Sequence, residues 1–213
     1  MMSFRPFPTS SLALRSLAAG AMTAGLSLSC SSNGAPPPSA FIISTLGEQT
    51  APGSTGTCSV NEPGAPFYTV GTPNSTGTAG TAIVDGAPCT ESCYPASQAS
   101  TPVTVTCQVA SAGANTYDVN LVVNQGELNG ITLGGTLNDT PGTSQGPFTV
   151  NFSSLSGGNY SEDDCTVTLS TMGTPPITAG RIWGSLSCPN MQDAEDDRAC
   201  AATATFIFQN CQE

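Results

Sequence analysis

Val103–Val123 reads VTVTCQVASAGANTYDVNLVV, and its alternation decides the fold class. Val103, Val105, Cys107 and Val109 alternate with Thr104, Thr106 and Gln108, and Tyr117, Val119, Leu121 and Val123 repeat the pattern. Successive side chains of a strand point to opposite faces, so a period of two marks a strand with one face buried. Working outward, Phe148-Val150-Phe152, Val167-Leu169, Ile182-Leu186 and Ala202-Ala204-Phe206-Phe208 carry the same spacing. Turn-formers such as Asn138-Asp139-Thr140-Pro141-Gly142 and Thr174-Pro175-Pro176 punctuate the runs. Helical periodicity is missing. The sequence therefore predicts an all-β fold, an antiparallel β-sandwich stapled by disulfides. Residues 41–100 are richer in Gly, Pro and Thr and predict shorter strands and loops.

Composition narrows the function. Only 9% of the 213 residues are charged, against roughly 25% in an ordinary soluble domain. The 23 Gly and 17 Pro stay below the roughly 25–30% that marks low-complexity disorder, and 38% hydrophobic residues suffice for a core. There is no Lys, and beyond Cys30 only Arg181 and Arg198 face all 15 acidic residues. Nothing here neutralises phosphates along a nucleic acid, so no nucleic-acid partner is expected. With no His in the chain, histidine-dependent catalysis is excluded. Lys commonly guards exposed sheet edges, so Pro, Asp and disulfides must do so here.

The first 29 residues read as an address. Arg5 and Arg15 form a positive flank, and Leu17–Leu28 is a twelve-residue apolar stretch, short of the ~20 residues a membrane span needs. Residues 1–29 are thus a signal peptide. Residues 30–40, including Pro36-Pro37-Pro38, form a flexible-to-stiff tether. Residues 41–213 are expected as a single disulfide-rich β domain.

Nine cysteines sit at 30, 58, 89, 93, 107, 165, 188, 200 and 211. An odd count in an exported chain leaves one over. If Cys30 is set aside, Cys58, Cys89, Cys93, Cys107, Cys165, Cys188, Cys200 and Cys211 form an even set, able to make four disulfides. Cys188–Cys200 is the expected local bridge, since it would close the acidic stretch between two strand ends. Zinc is the competing reading, but Cys89 and Cys93 are the only close pair and no His completes a mixed site. No cofactor is expected.

Leu26-Ser27-Leu28-Ser29-Cys30, followed by Ser31-Ser32-Asn33-Gly34, resembles the lipobox of bacterial lipoproteins. In that family the Cys becomes the first mature residue and carries acyl chains, which implies lipidation at Cys30 and a membrane partner. Val103–Val123, Leu128-Asn129-Gly130-Ile131-Thr132-Leu133-Gly134 and Phe206–Cys211 (FIFQNC) look like the small lipoprotein antigens of bacterial envelopes. These are tethered β-sandwiches with one disulfide joining an early and a last strand. By position the resemblance implies Cys107–Cys211, and surface display rather than catalysis.

Other motifs are weaker. Gly142-Thr143-Ser144-Gln145-Gly146 matches G-x-S-x-G, but that nucleophile needs a strand–turn–helix and a histidine. The acidic runs Glu162-Asp163-Asp164 and Asp193–Asp197, expected in loops, lack the alternating spacing of a Ca²⁺ loop. Asp193, Glu195, Asp196 and Asp197 remain weak Ca²⁺ candidates. Trp183, the one tryptophan, shares a strand face with Arg181 and Ser185, opposite Ile182, Gly184 and Leu186, and is a weak candidate for stacking on a sugar.

The expected function is a non-enzymatic, lipid-anchored protein of the bacterial cell envelope, or otherwise a secreted one. Its β domain would be a structural or protein-interaction module meeting envelope proteins or glycans. A carbohydrate- or Ca²⁺-binding surface module is the alternative, and a carboxylate-based glycosidase stands behind it.

Overall fold

A computed structural model describes residues 34–48, 66–71, 82–89, 100–126, 129–154, 158–172, 175–193 and 199–213. The signal segment, Cys30, Cys58, Cys93 and residues 194–198 lie outside them. The compact unit runs Ala35–Glu213. Eleven strands follow in order: β1 (Ser39–Glu48), β2 (Pro66–Val70), β3 (Ile83–Val84), β4 (Val103–Gly113), β5 (Thr116–Gln125), β6 (Asn129–Asn138), β7 (Ser144–Ser154), β8 (Gly158–Leu169), β9 (Ile177–Thr178), β10 (Arg181–Asp193) and β11 (Ala199–Gln209). The expected tether thus ends two residues early, because Ser39 and Ala40 already pair with Gln209 and Phe208.

The fold is all-β and antiparallel, as the alternation predicts, and two disulfides, Cys107–Cys211 and Cys165–Cys188, join described cysteines. One hydrogen-bonded path runs β2-β1-β11-β10-β8-β7-β6-β5-β4, with β3 on β1 and β9 on β10. Inward residues are those of the alternating runs: β4 buries Val103, Val105, Cys107 and Val109, while β11 buries Ala202, Ala204, Phe206 and Phe208. They share one core with Leu121, Leu133, Phe148, Phe152, Val167 and Leu186 from the strands between. Gly135 faces Phe148 across β6 and β7, and a Cβ there would lie 2.9 Å from the Phe148 ring. The missing side chain is what lets that ring approach the neighbouring strand so closely.

The outer edge of β4 is covered from Val103 to Val109. Val103 N–H donates to Ala87 O at 3.0 Å, and Val105 N–H donates to Asp85 Oδ1 at 2.7 Å. Val109 N–H donates to Gln212 O at 2.9 Å, and Gly180 N–H donates to Val109 O at 3.0 Å. The sheet therefore curls back on itself, so that its last strand meets the loops beside β3, β9 and β11. An aspartate and the chain terminus occupy the edge that a lysine guards elsewhere.

Candidate functional site

The disulfides come first, since they fix the walls of everything else. Cys107 and Cys211 are bonded across 104 residues, as the lipoprotein-antigen resemblance implies. Cys165 and Cys188 are bonded across 23, which overturns the expected Cys188–Cys200 bridge. The reason is the register of β10 on β11, which sets Cys200 two residues past Cys188 in a regular ladder, and a bulge that adds one more. From Cys188 to Met191, β10 advances three residues while β11 retreats two, from Ala202 to Cys200. Cys188 therefore stands opposite Ala202, and Cys200 stands opposite Met191. On its other side Cys188 falls opposite Cys165, one step past the Ser187–Thr166 pair. Cys89 and Cys200 each take part in a disulfide as well.

The acidic run Glu162-Asp163-Asp164 lies on β8, not in a loop. It too sits at a bulge, between the Val150–Glu162 and Phe148–Cys165 pairs. The bulges of β8 and β10 run in step, and Asn190 N–H on β10 donates to Glu162 Oε2 at 2.8 Å. Half-burial pushes the Glu162 carboxyl above its ordinary value, and the neighbouring Asp164 charge adds to this while the Asn190 bond opposes it. Ligand atoms of Glu162, Cys165 and Cys188 all lie within 4.8 Å of one another. The two sulfurs are bonded to each other, so no thiolate is offered to a metal. Of the Ca²⁺ candidates, Asp193 ends β10, and Glu195, Asp196 and Asp197 lie outside the described residues.

Trp183 is on the sheet face opposite the core, as its alternation with Ile182 predicts, but it is only 8% exposed. It opposes Ile207, which in turn opposes Phe41, and the three form a second apolar cluster across β10, β11 and β1. A solvated sugar platform is therefore not what this face offers. Ser144 begins β7 and shares a 2.9 Å hydrogen bond with the Thr168 hydroxyl, in a sheet rather than a strand–turn–helix.

A pocket that sequence reading missed lies where β10 begins and β11 ends. It has a volume of about 470 Å³ and is walled by Ala35, Pro36, Gly180, Arg181, Asn210 and Glu213, among others. Its parts are pinned. Gly180 takes a left-handed φ of 77° and joins the edge of β4, while its carbonyl accepts from Cys211 N–H at 2.9 Å. Asn210, at φ 56°, donates from Nδ2 to Pro37 O at 3.1 Å. Arg181 is the one cationic side chain among the described residues. Its Nε is buried with no hydrogen-bond partner among them. A concave site lined by one guanidinium and one carboxylate side chain suits a small polar ligand.

No family model, curated protein or solved structure matches this chain. The functional reading therefore rests on the chain's own chemistry.

Proposed function

We propose that this is an exported, lipid-anchored protein of the bacterial cell envelope, whose β domain is a structural or protein-interaction module. The observation that carries the proposal is the state of the cysteines: all six within the described residues are disulfide-bonded. Disulfides of this kind form and persist in oxidising compartments outside the cytoplasm. The parity of the cysteines adds support. Cys30 is the odd one of nine, and it stands where a lipobox places its acylated residue. Its likeness to small envelope lipoprotein antigens extends to the Cys107–Cys211 pair.

The proposed partners are the membrane, through acyl chains at Cys30, and envelope proteins or glycans. One acyl chain holds a protein only marginally, and this chain has no basic patch to add a second attraction. The anchor therefore requires multiple acylation. Fractionation of cells expressing the full chain tests the reading. Cys30→Ala should move the protein from the detergent phase to the aqueous phase, and unchanged partitioning of that variant would sink the proposal.

A further inference from the structure

We propose that the Arg181 pocket seats a zwitterionic phospholipid headgroup, with its phosphate diester on Arg181 and its primary ammonium on the Glu213 carboxylate. The membrane setting of this inference rests on lipidation at Cys30; the ligand chemistry rests on the pocket alone.

Four observations converge on it. The pocket wall includes Ala35 and Pro36, two residues of the tether. Five residue steps separate Ala35 from Cys30, a reach of at most roughly 17 Å in a fully extended chain. Acylation at Cys30 would keep the pocket within that reach of the headgroup layer. Second, Arg181 is the one cationic side chain among the described residues, and it lines the pocket. A guanidinium fork matches phosphate oxygens in two parallel hydrogen bonds. Third, the Glu213 side chain shares the pocket, so a purely anionic ligand meets a repelling carboxylate. A ligand carrying both charges satisfies both residues. The protein's overall negative field acts in the same direction, disfavouring acidic lipids and leaving zwitterionic ones unaffected.

Fourth, the site is preorganised. The turn at Gly180 is bonded to β4 and to Cys211, Cys211 is disulfide-bonded to Cys107, and Asn210 ties the C-terminal stretch to Pro37. A ligand meets walls already held in place, which removes part of the ordering cost of binding. Seating a headgroup here would also fix which way the domain faces above the bilayer.

The test uses the full chain carrying Cys30→Ala, so that anchoring and headgroup recognition are read separately. Glycerophosphoethanolamine is titrated into it by calorimetry and by NMR. Saturable binding is expected, with glycerol 3-phosphate and ethanolamine each about tenfold weaker, one charge pair being missing in each case. Arg181→Gln should lose about tenfold for both phosphate ligands. Glu213→Gln, at the exposed terminus, should weaken only the ligands that carry the ammonium. Vesicles of phosphatidylethanolamine should sediment the Cys30→Ala chain more than vesicles of phosphatidylcholine, whose quaternary nitrogen donates no hydrogen bond. Undiminished binding by Arg181→Gln, or tighter binding of glycine than of glycerophosphoethanolamine, would overturn the proposal. So would equal sedimentation by the two vesicle types. Cys30→Ala that stays in the detergent phase while binding glycerophosphoethanolamine would remove the anchored reading and leave the pocket's chemistry standing.

Discussion

Cys165 and Cys188 stand directly across from each other on neighbouring strands, Cα atoms 4.4 Å apart, at the point where both strands bulge. Their bridge closes a loop of 23 residues, whereas Cys107–Cys211 closes one of 104. In the chain-entropy account a crosslink stabilises by restricting the unfolded chain, and the effect grows with the logarithm of loop length.

The two bridges should therefore differ in weight. Cys107→Ala/Cys211→Ala is expected to cost more than Cys165→Ala/Cys188→Ala by about 1 kcal/mol. Thermal melts should show it as an extra fall of roughly 2–4 °C. A larger loss from the short-loop pair would place the stabilisation in the packing of the bulge instead.

Gly135 offers a steric prediction. A Cβ placed on it meets Phe148 ring atoms at 2.9 Å, and Phe148 is fully packed in the core. Gly135→Ala should destabilise by ~1–3 kcal/mol, the usual range for overpacking. Gly47→Ala on β1, where an added Cβ meets nothing within 4 Å, should stay within ~0.5 kcal/mol. Urea titration of the two variants decides between a clash and a general intolerance of side chains. Phe148→Leu added to Gly135→Ala should recover part of the loss, because a smaller partner relieves the contact.

Trp183 supplies its own probe, being the single tryptophan in the chain. At 8% exposure and packed with Phe41 and Ile207, its emission should be blue-shifted and poorly quenched by acrylamide in the folded protein. Both signatures should disappear together on unfolding. Native emission at the wavelength of free indole in water would contradict the burial. Ile207→Ala, which removes the residue opposite Trp183, should shift the native emission to the red while leaving the inner core residues untouched.

The strands were readable because each buries one face, and apolar residues recur at every second position along β4, β5, β7 and β11. What alternation does not carry is the count of residues between pairs. With Cys188 opposite Ala202, the register already sets Cys200 two residues away, and the bulge after Cys188 moves it one residue further, to Met191. Glu162-Asp163-Asp164 reads as a loop because it lacks apolar alternation; in the sheet the bulge absorbs the irregularity. Alternation also places Trp183 on the outer face, yet it says nothing of the second apolar layer that buries it there. The Arg181 pocket had no local signal at all. Topology assembles it from residues 35–36, 179–181 and 209–213, distant in sequence and brought together where the sheet curls back.

Glu162 gives the pH prediction. Burial raises its carboxyl above the ordinary 4.5, the charge of Asp164 adds to the shift, and the Asn190 N–H bond only partly offsets them. The folded protein thus holds this proton to a higher pH than the unfolded chain does. Where the folded state binds more protons, stability falls as pH rises. The contribution of Glu162 is therefore fully present below about 4.5 and is lost as pH climbs through the raised folded value. Glu162→Gln keeps an oxygen for Asn190 but cannot ionise, so this loss should vanish. Melting temperatures of the parent and Glu162→Gln proteins should differ most above the raised value, with the variant the more stable. The gap should narrow toward pH 4, where the parent's carboxyl is protonated. A gap that is constant with pH would assign the effect of Glu162→Gln to packing at the bulge and not to the buried charge.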